Sequence, residues 1–520
     1  MRLLFLFYLL LATVLSGFSQ VFSVTAFGAV GDSITLNTVA IQAAIDSCHN
    51  SGGGKVVIPS GIFLSGTIRM KSDVELQIDS GGVLKGSANL NDYPIITPLL
   101  RTYADEYVQR SLVYAEGVRN IAFTGKGRVN GNGLAPVFIN SSNRVFGFRI
   151  YTSSNVRYED LTLQNSAFWM MHNCNLDTML VRNITITNHC YGNQDGVNID
   201  MCRNVLVENC DIDGNNDPIV MKAMAPLFTQ NVEVRNCTLA TYSRAIKIGT
   251  ETQGFFSNIY VHDCVVKKSV RGPLNLDAKC GINLAIVDGG GMENIRIENI
   301  QLEAITPIAV RLGNRAQKYM PSAPVPGVGY ARDIVLKNIT ATAKSNTTSH
   351  ITGIPNHSIE NIRLENVAIT IPGGMDSLPG WIVPENESSK PEHDIFGDTI
   401  PAYGLFLRHL KNIQLCDVSI TALQPDNRPR YIQSDVVNLD TVCINGLAEL
   451  MPKQVVVFPN PAHSYIQVAA SEVVDDTVRI WDAVGKLMLQ TKARQIDVAE
   501  WKAGVYIVQI GNAVQRFVKQ

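Results

Sequence analysis

The 520-residue chain is poor in charge: Asp, Glu, Lys and Arg make up 17% of it and the formal net charge is −2. Without a strong basic field, binding that depends on neutralising nucleic-acid phosphates is disfavoured, so no nucleic-acid partner is expected. Cysteine is scarce as well, ten residues in all, which is too few for a disulfide scaffold at this length. Past the first residues no apolar stretch is long enough to cross a bilayer. Asn-Gly and similar hairpin signals are sparse, which argues against a sandwich of hairpin-linked strands through the body of the chain. His-x-x-x-His spacing is missing, so neither a catalytic metal nor a cofactor is expected. The cluster Gly52-Gly53-Gly54 comes after a helical pattern instead of opening one, and it lacks a Gly-Lys-Ser/Thr, so it is not a phosphate-binding loop.

The single apolar run, Leu3 to Leu15 behind Arg2, ends in the small residues Ser16, Gly17 and Ser19. That pattern predicts a signal peptide over residues 1–19 and therefore an exported mature protein.

What the chain has in quantity is a repeat. Asn followed by a β-branched residue opens short apolar strands at Asn183, Asn204, Asn231, Asn258, Asn294, Asn338, Asn361 and Asn412, with early spacings of 21, 27 and 27 residues. No helical stripe separates them. Cys210, Cys237 and Cys264 recur 27 apart, each just after Asn209, Asn236 or Asp263. Like residues stacked at one position of a 20- to 30-residue strand unit predict an all-β, right-handed parallel β-helix, with these cysteines as small buried apolar side chains. Pairing of Cys174 with Cys190 or Cys202 stays open. The Asn-x-Ser/Thr triplets at Asn183, Asn236 and Asn338 read as turn asparagines of the coil rather than glycan acceptors. Ahead of the repeat, Ile41, Ala44 and Ile45 fall at helical spacing before the glycines and a strand from Val56. Such a helix would cover the first open coil, giving an N-terminal cap region over 20–66 of a domain spanning 20–447.

Within that repeat, Gly192-Asn193-Gln194-Asp195-Gly196 and Asn215-Asn216-Asp217-Pro218 place two aspartates 22 positions apart. If 22 residues make one coil, the carboxylates leave one face of neighbouring strands, about 4.8 Å apart at the backbone. Paired carboxyl groups on a rigid surface are what glycosidic hydrolysis needs, although turn aspartates capping backbone N–H groups are the plainer alternative. Lys222 and Lys247 are candidates for orienting the aspartates or binding an acidic sugar, or else solvated coil residues. His172, behind Phe168-Trp169-Met170-Met171, reads as packed, whereas His189 lies close enough to the Asp195 motif to touch substrate. Arg311 and Arg315 face the same groove or are surface charge. A Pro-rich excursion containing Trp381 and Tyr403 offers a sugar-stacking ring or a self-anchored loop.

The N-terminal block resembles the cap of the pectate-lyase-like β-helix superfamily, and from about Val21 to Leu447 the chain resembles glycoside hydrolase family 28, the polygalacturonase family. The resemblance rests on the coil pattern and on Asp195-Gly196-Val197-Asn198-Ile199-Asp200 followed by Arg203-Asn204-Val205. It implies three aspartates around an attacking water, inversion at the anomeric carbon, and the motifs Asn-Thr-Asp, Asp-Asp, Gly-His-Gly and Arg-Ile-Lys. Asp195 matches the acid of the first motif and Asp217 the second aspartate of the pair. Asn216 stands where the family keeps its general acid, Arg244 where it keeps histidine, and Gly272-Pro273-Leu274-Asn275-Leu276 where it keeps two cations. Two mechanisms fit: Asp217 as the acid, its pKa raised by Asp195, with Asp195 activating water; or Glu251 as the acid with both aspartates positioning water. The expected catalytic set is thus Asp195, Asp217 and Glu251, with Asn193, Asn216, Lys222, Arg244 and Lys247 on the substrate.

After Asn445-Gly446 the rhythm stops, and residues 448–454 read as a linker. From Val455 short alternating strands predict a small β-sandwich over 455–520. With Pro459-Asn460-Pro461 and Gly504-Val505-Tyr506 it resembles the carboxy-terminal sorting domain of type IX secretion substrates. That likeness implies the secretion machinery as a partner and a secreted or cell-surface product. The whole reads as a secreted, monomeric glycosidase acting on a pectin-like or other acidic polysaccharide. Its rivals are a lyase on uronate polymers, with Lys222, Lys247 or Arg244 as proton abstractor, and a non-catalytic glycan-binding β-helix.

Overall fold

The computed structural model describes residues 20–441 except 107, 398 and 399, and 455–519 except 459–461, 463, 471–476, 483–485, 511 and 512. The expected signal peptide (1–19), linker (448–454) and Pro459-Asn460-Pro461 lie outside the described residues. The chain divides into two compact units, Met1–Cys443 and Ile444–Gln520.

The first unit is a right-handed parallel β-helix. Each coil contributes three strands to three parallel sheets, as where Phe146–Tyr151, Ser154–Glu159 and Thr162–Gln164 pair in register with Met171–Cys174, Asp177–Arg182 and Thr185–Asn188 of the next coil. Inward residues form apolar columns. Val205, Val232, Ile259, Ile295, Ile334, Ile362 and Ile413 stack coil upon coil, all buried. Each such side chain contributes about 1.5–3 kcal/mol by leaving water. Cys210, Cys237 and Cys264 form the expected interior column, and the eight free cysteines among the described residues include Cys174, Cys190 and Cys202, so the pairings left open among these three are not made. Cys416 is disulfide-bonded.

The recurring asparagines make the corners. Asn204, Asn231, Asn258 and Asn294 hold φ of 58°, 54°, 56° and 54°, the left-handed region that asparagine tolerates better than most residues. Their side chains run as a ladder: Asn231 donates to Asn204 at 3.0 Å, Asn258 to Asn231 at 2.9 Å and Asn294 to Asn258 at 2.6 Å. Asn183, Asn236 and Asn338 share the conformation, with φ of 54°, 53° and 52°. At the N-terminal end the helix Thr38–Asn50 buries Ile41, Ala44, Ile45 and Cys48 against the first coil.

The second unit has two antiparallel sheets, one joining Val455–Phe458, Tyr465–Ala470 and Gln495–Asp497, the other four-stranded and centred on Val478–Asp482 and Gly504–Ile510. Ile466, Val468, Ile480, Val508 and Phe517 share its core.

The corner ladder predicts a graded response. Asn231→Ala loses both ladder bonds and must hold a strained φ, whereas Asn231→Gly loses the bonds alone. We expect the Ala variant to be the less stable in chemical denaturation, by about 1 kcal/mol. Equal losses would remove backbone strain from the explanation.

Candidate active site

Three successive strands of one sheet carry the site: β1 (Val197–Asp200), β2 (Ile219–Ala223) and β3 (Arg244–Thr252). Their register sets Val197 against Ile219 and Ile219 against Ile246, so the 22-residue interval is one full coil. Asp195 and Asp217 sit just ahead of β1 and β2 at that interval, and the Gly196 N–H donates to the Asp217 carbonyl at 2.9 Å. Alternation along the strands turns Asp200 of β1 and its partner Lys222 of β2 outward, and likewise Asn198 and its column neighbours Val220 and Lys247.

One irregularity completes the arrangement. Met221 pairs with Ile248 but Ala223 pairs with Thr252, so β3 holds two extra residues. This bulge brings Glu251 beside Lys222, whose Nζ lies 2.7 Å from Glu251 Oε2 and 3.8 Å from Asp195 Oδ2. The ammonium also stands 4.6 Å from the centre of the Trp169 ring, and the Tyr103 hydroxyl donates to Glu251 Oε1 at 3.4 Å.

The two aspartates are held differently. Asp217 Oδ2 accepts from Lys247 Nζ at 2.7 Å, while Oδ1 accepts from Ser243 Oγ at 2.8 Å and the Arg244 N–H at 3.2 Å. Asp195 receives one neutral donor, Asn216 Nδ2, at 2.5 Å from Oδ1. Both carboxyl groups are almost fully buried. Burial pushes Asp195 up to about 7, reinforced by the charges of Asp217 and Glu251 and opposed by Lys222 and Lys247. Burial acts the same way on Asp217, but Lys247, Arg244 and Lys222 outweigh it and hold that group well below the usual carboxylate range. Glu251, buried yet facing Lys222 and Lys247, is brought down to about 2. Lys222, despite burial, is held above the ordinary lysine value by Glu251 and Asp195.

These directions reverse the division of labour expected from sequence. Asp217 was to carry the raised pKa, and it is the more strongly ionised of the pair because Lys247 reaches it from the third coil. Glu251 as the acid is also corrected, since its ion pair with Lys222 keeps it ionised. Asn216 turns its amide onto Asp195 and holds it in place. Arg244 donates through Nη1 to Ser243 Oγ at 3.0 Å and pairs through Nη2 with Glu392 of the Pro-rich excursion. Asn193 is exposed at a left-handed turn with φ of 54°.

Residues beyond this cluster fall into place around it. His172 is buried, with Nε2 3.1 Å from Asp200 Oδ2 and its ring against Phe146, Tyr151 and Trp169. Among the described residues, His172, Cys174 and Asp200 are the one trio whose ligand-type atoms lie within 4.8 Å of one another. Asp200 is already bonded to the Met224 N–H at 3.1 Å, and burial drives the Cys174 thiol far up, toward the neutral form. The trio is therefore a hydrogen-bonded core. His189 pairs with Asp213 at 2.7 Å. Arg311, weighed as a groove or surface cation, is buried and donates to the carbonyls of Glu385 and Asn386 at 3.0 and 2.8 Å, anchoring the Pro-rich excursion with Arg408. Arg315 is engaged by Asp288 at 2.5 Å. Trp381 is exposed, while Tyr403 packs on the core and accepts from Arg430 Nε at 3.1 Å. Sequence reasoning missed Tyr103, Trp169 and Ser243. Only Ser243, next to Arg244, carried a positional hint.

A β-helix that buries paired carboxylates among lysines on one outward face has the layout expected of a carbohydrate-cleaving β-helix enzyme. The chain belongs to glycosyl hydrolases family 28, whose model matches residues 48–381, and residues 456–520 match the secretion system C-terminal sorting domain. It is 26% identical to a probable polygalacturonase of Vitis vinifera over 69% of this chain and 76% of that one. It is 25% identical to an exo-poly-alpha-D-galacturonosidase of Dickeya chrysanthemi over 68% of each. Its fold is that of the family 28 exopolygalacturonase of Yersinia enterocolitica, with a TM-score of 0.64 and 21% identity over 82% of this chain and 79% of that one. A hyperthermoactive exopolygalacturonase of Thermotoga maritima follows at 0.61 and 20%, over 78% and 92%. The protein is thus a glycoside hydrolase, and its sorting domain marks it for export to the cell surface or beyond.

The Asp195 environment makes a stability prediction. The folded state keeps a proton on Asp195 up to about pH 7, whereas the unfolded chain releases it near the ordinary aspartate value of about 4. Wild-type stability therefore falls as pH rises through that window. Asp195→Asn, neutral throughout, should have the higher thermal midpoint above pH 7, and the gap should close below about pH 4. A constant gap across pH would contradict the burial of this group.

Proposed function

We propose that the protein hydrolyses glycosidic bonds of a pectin-type galacturonan, with Asp195 as general acid and Asp217 as the carboxylate that positions and deprotonates water. The observation that carries this reading is the unequal hydrogen bonding of two buried carboxyl groups one coil apart: Asp217 accepts from Lys247, Ser243 and the Arg244 N–H and is held ionised, whereas Asp195 accepts from the Asn216 amide and burial raises it to about 7. A protonated Asp195 has a proton for the leaving oxygen at mildly acidic pH. All three donors to Asp217 restrain it as a nucleophile, which favours direct attack by water and inversion at the anomeric carbon. Weak basicity is tolerable there, because an oxocarbenium-like centre demands little help from the attacking water's base.

Glu251 neutralises Lys222, leaving Asp195 less exposed to that cation. Asn216 and Lys247 orient the pair, and Asn193 and Arg244 border the sugar. The galacturonan substrate is supported by the activities named for the Vitis and Dickeya relatives. A lyase would need an unprotonated base: Lys222 is held strongly protonated, and Lys247, though burial lowers its pKa, donates its ammonium to Asp217 Oδ2 at 2.7 Å.

Reducing-end release from polygalacturonate and pectins tests the assignment. Asp195→Asn and Asp217→Asn should each lower kcat by about 10²- to 10⁴-fold with little change in KM. Wild-type kcat should fall as pH rises through about 7. Glu251→Gln, by releasing Lys222 toward Asp195, should move that alkaline limb to lower pH. An unmoved limb would take Asp195 out of the acid role, and proton NMR of the first product should show the inverted anomer.

A further inference from the structure

Building on the hydrolase reading, the site's cations raise the question of what sugar it admits. Each of the four that act on the carboxylates already has an anionic partner: Lys222 has Glu251, Lys247 has Asp217, Arg244 has Glu392 and Arg315 has Asp288. With Asp195 protonated, the four positive and four negative charges cancel. A uronate carboxylate entering this buried space would bring an unbalanced negative charge next to Asp217 and Glu251, an expensive placement away from water.

The neighbouring rim points the same way. Loop 269–276 is pinned beside the site: the Val270 and Arg271 N–H groups donate to Asp213 Oδ2 at 3.2 and 3.0 Å, and the Leu274 N–H donates to the hydroxyl of Tyr242, the residue preceding Ser243, at 2.9 Å. Arg271, the one cation of that loop, turns away to Asp211. What the loop leaves in solvent is apolar, with Val270, Leu274 and Leu276 exposed by 66%, 63% and 47%. Tyr191, in the turn leading to Asp195, is exposed by 40%. Pinned backbone under exposed aliphatic side chains suits a ligand with an apolar substituent.

We propose that the sugar at the cleavage point is a galacturonate whose carboxyl is masked as a methyl ester, so that the enzyme prefers esterified over de-esterified pectin. Loss of the substrate's charge removes the repulsion from Asp217 and Glu251, and the ester methyl meets the aliphatic rim of loop 269–276.

The test compares full-length enzyme on highly methyl-esterified pectin and on the same pectin after alkaline de-esterification, scored by initial reducing-end release. The expected result is cleavage of the esterified polymer at least about tenfold faster. Equal or faster cleavage of the de-esterified polymer overturns the ester preference and leaves the hydrolase reading standing. Cleavage only of a pectic polymer with neutral backbone sugars has the same effect. If wild type cleaves no polysaccharide while retaining its fold, the hydrolase reading itself fails. Glu392→Ala, which unpairs Arg244, and Leu274→Arg, which places a cation on the rim, should each lower the esterified-to-de-esterified ratio several-fold. Ratios unchanged in both would overturn the charge-balance argument.

Discussion

In-register parallel stacking of coils is the constraint on which the rest of the molecule depends. Backbone pairing fixes each coil against the next, so a residue's place in its coil decides its neighbours two or three coils away. The columns of Val, Ile and Leu, the buried cysteines and the asparagine corners are one rule seen at different positions. The same rule brings chemically active side chains together on the outward face, where Lys247 of the third coil meets Asp217 of the second and Lys222 of the second meets Asp195 of the first. No loop has to close to assemble them, which is the preorganisation that hydrolysis of a polymer on a rigid surface requires.

Rigidity alone would give two equivalent carboxylates. They become unequal because the sheet distributes cations unevenly. Lys247 donates directly to Asp217 at 2.7 Å, while Lys222 stands 3.8 Å from Asp195 and is drawn instead to Glu251 by the bulge in β3. Asn216, Lys222 and Glu251 therefore act together: the amide holds Asp195, the glutamate takes up the lysine, and burial raises the Asp195 carboxyl.

Much of the fold was legible because its signal is periodic. Asn204, Asn231 and Asn258 recur where the backbone must turn left-handed, and the 22-residue interval of Asp195 and Asp217 proved to be one coil. Legibility ended where periodicity did. Glu251 reaches Lys222 only through two extra residues in β3 that no spacing announces, and Tyr103 arrives from the 3-10 helix Tyr103–Glu106, far back in the chain. The raised pKa was placed on Asp217 because like-charge repulsion between the aspartates is symmetric, whereas the cations that break the symmetry become visible only in register. Arg311 read as a groove or surface cation because a sequence does not display the backbone carbonyls of the Pro-rich excursion that surround it.

The asparagine ladder bears on how the protein is made. Asn183 and Asn338 each lie in an Asn-x-Ser/Thr triplet, and their side-chain amides donate to Asp160 and Asn299 of adjoining coils at 2.9 Å. In a eukaryotic secretory host, oligosaccharyltransferase reaches such triplets on the nascent chain before these amides are engaged, and a bulky sugar there would compete with the coil-to-coil bond each amide makes. Corner pairing and glycan attachment thus draw on the same nitrogen atoms.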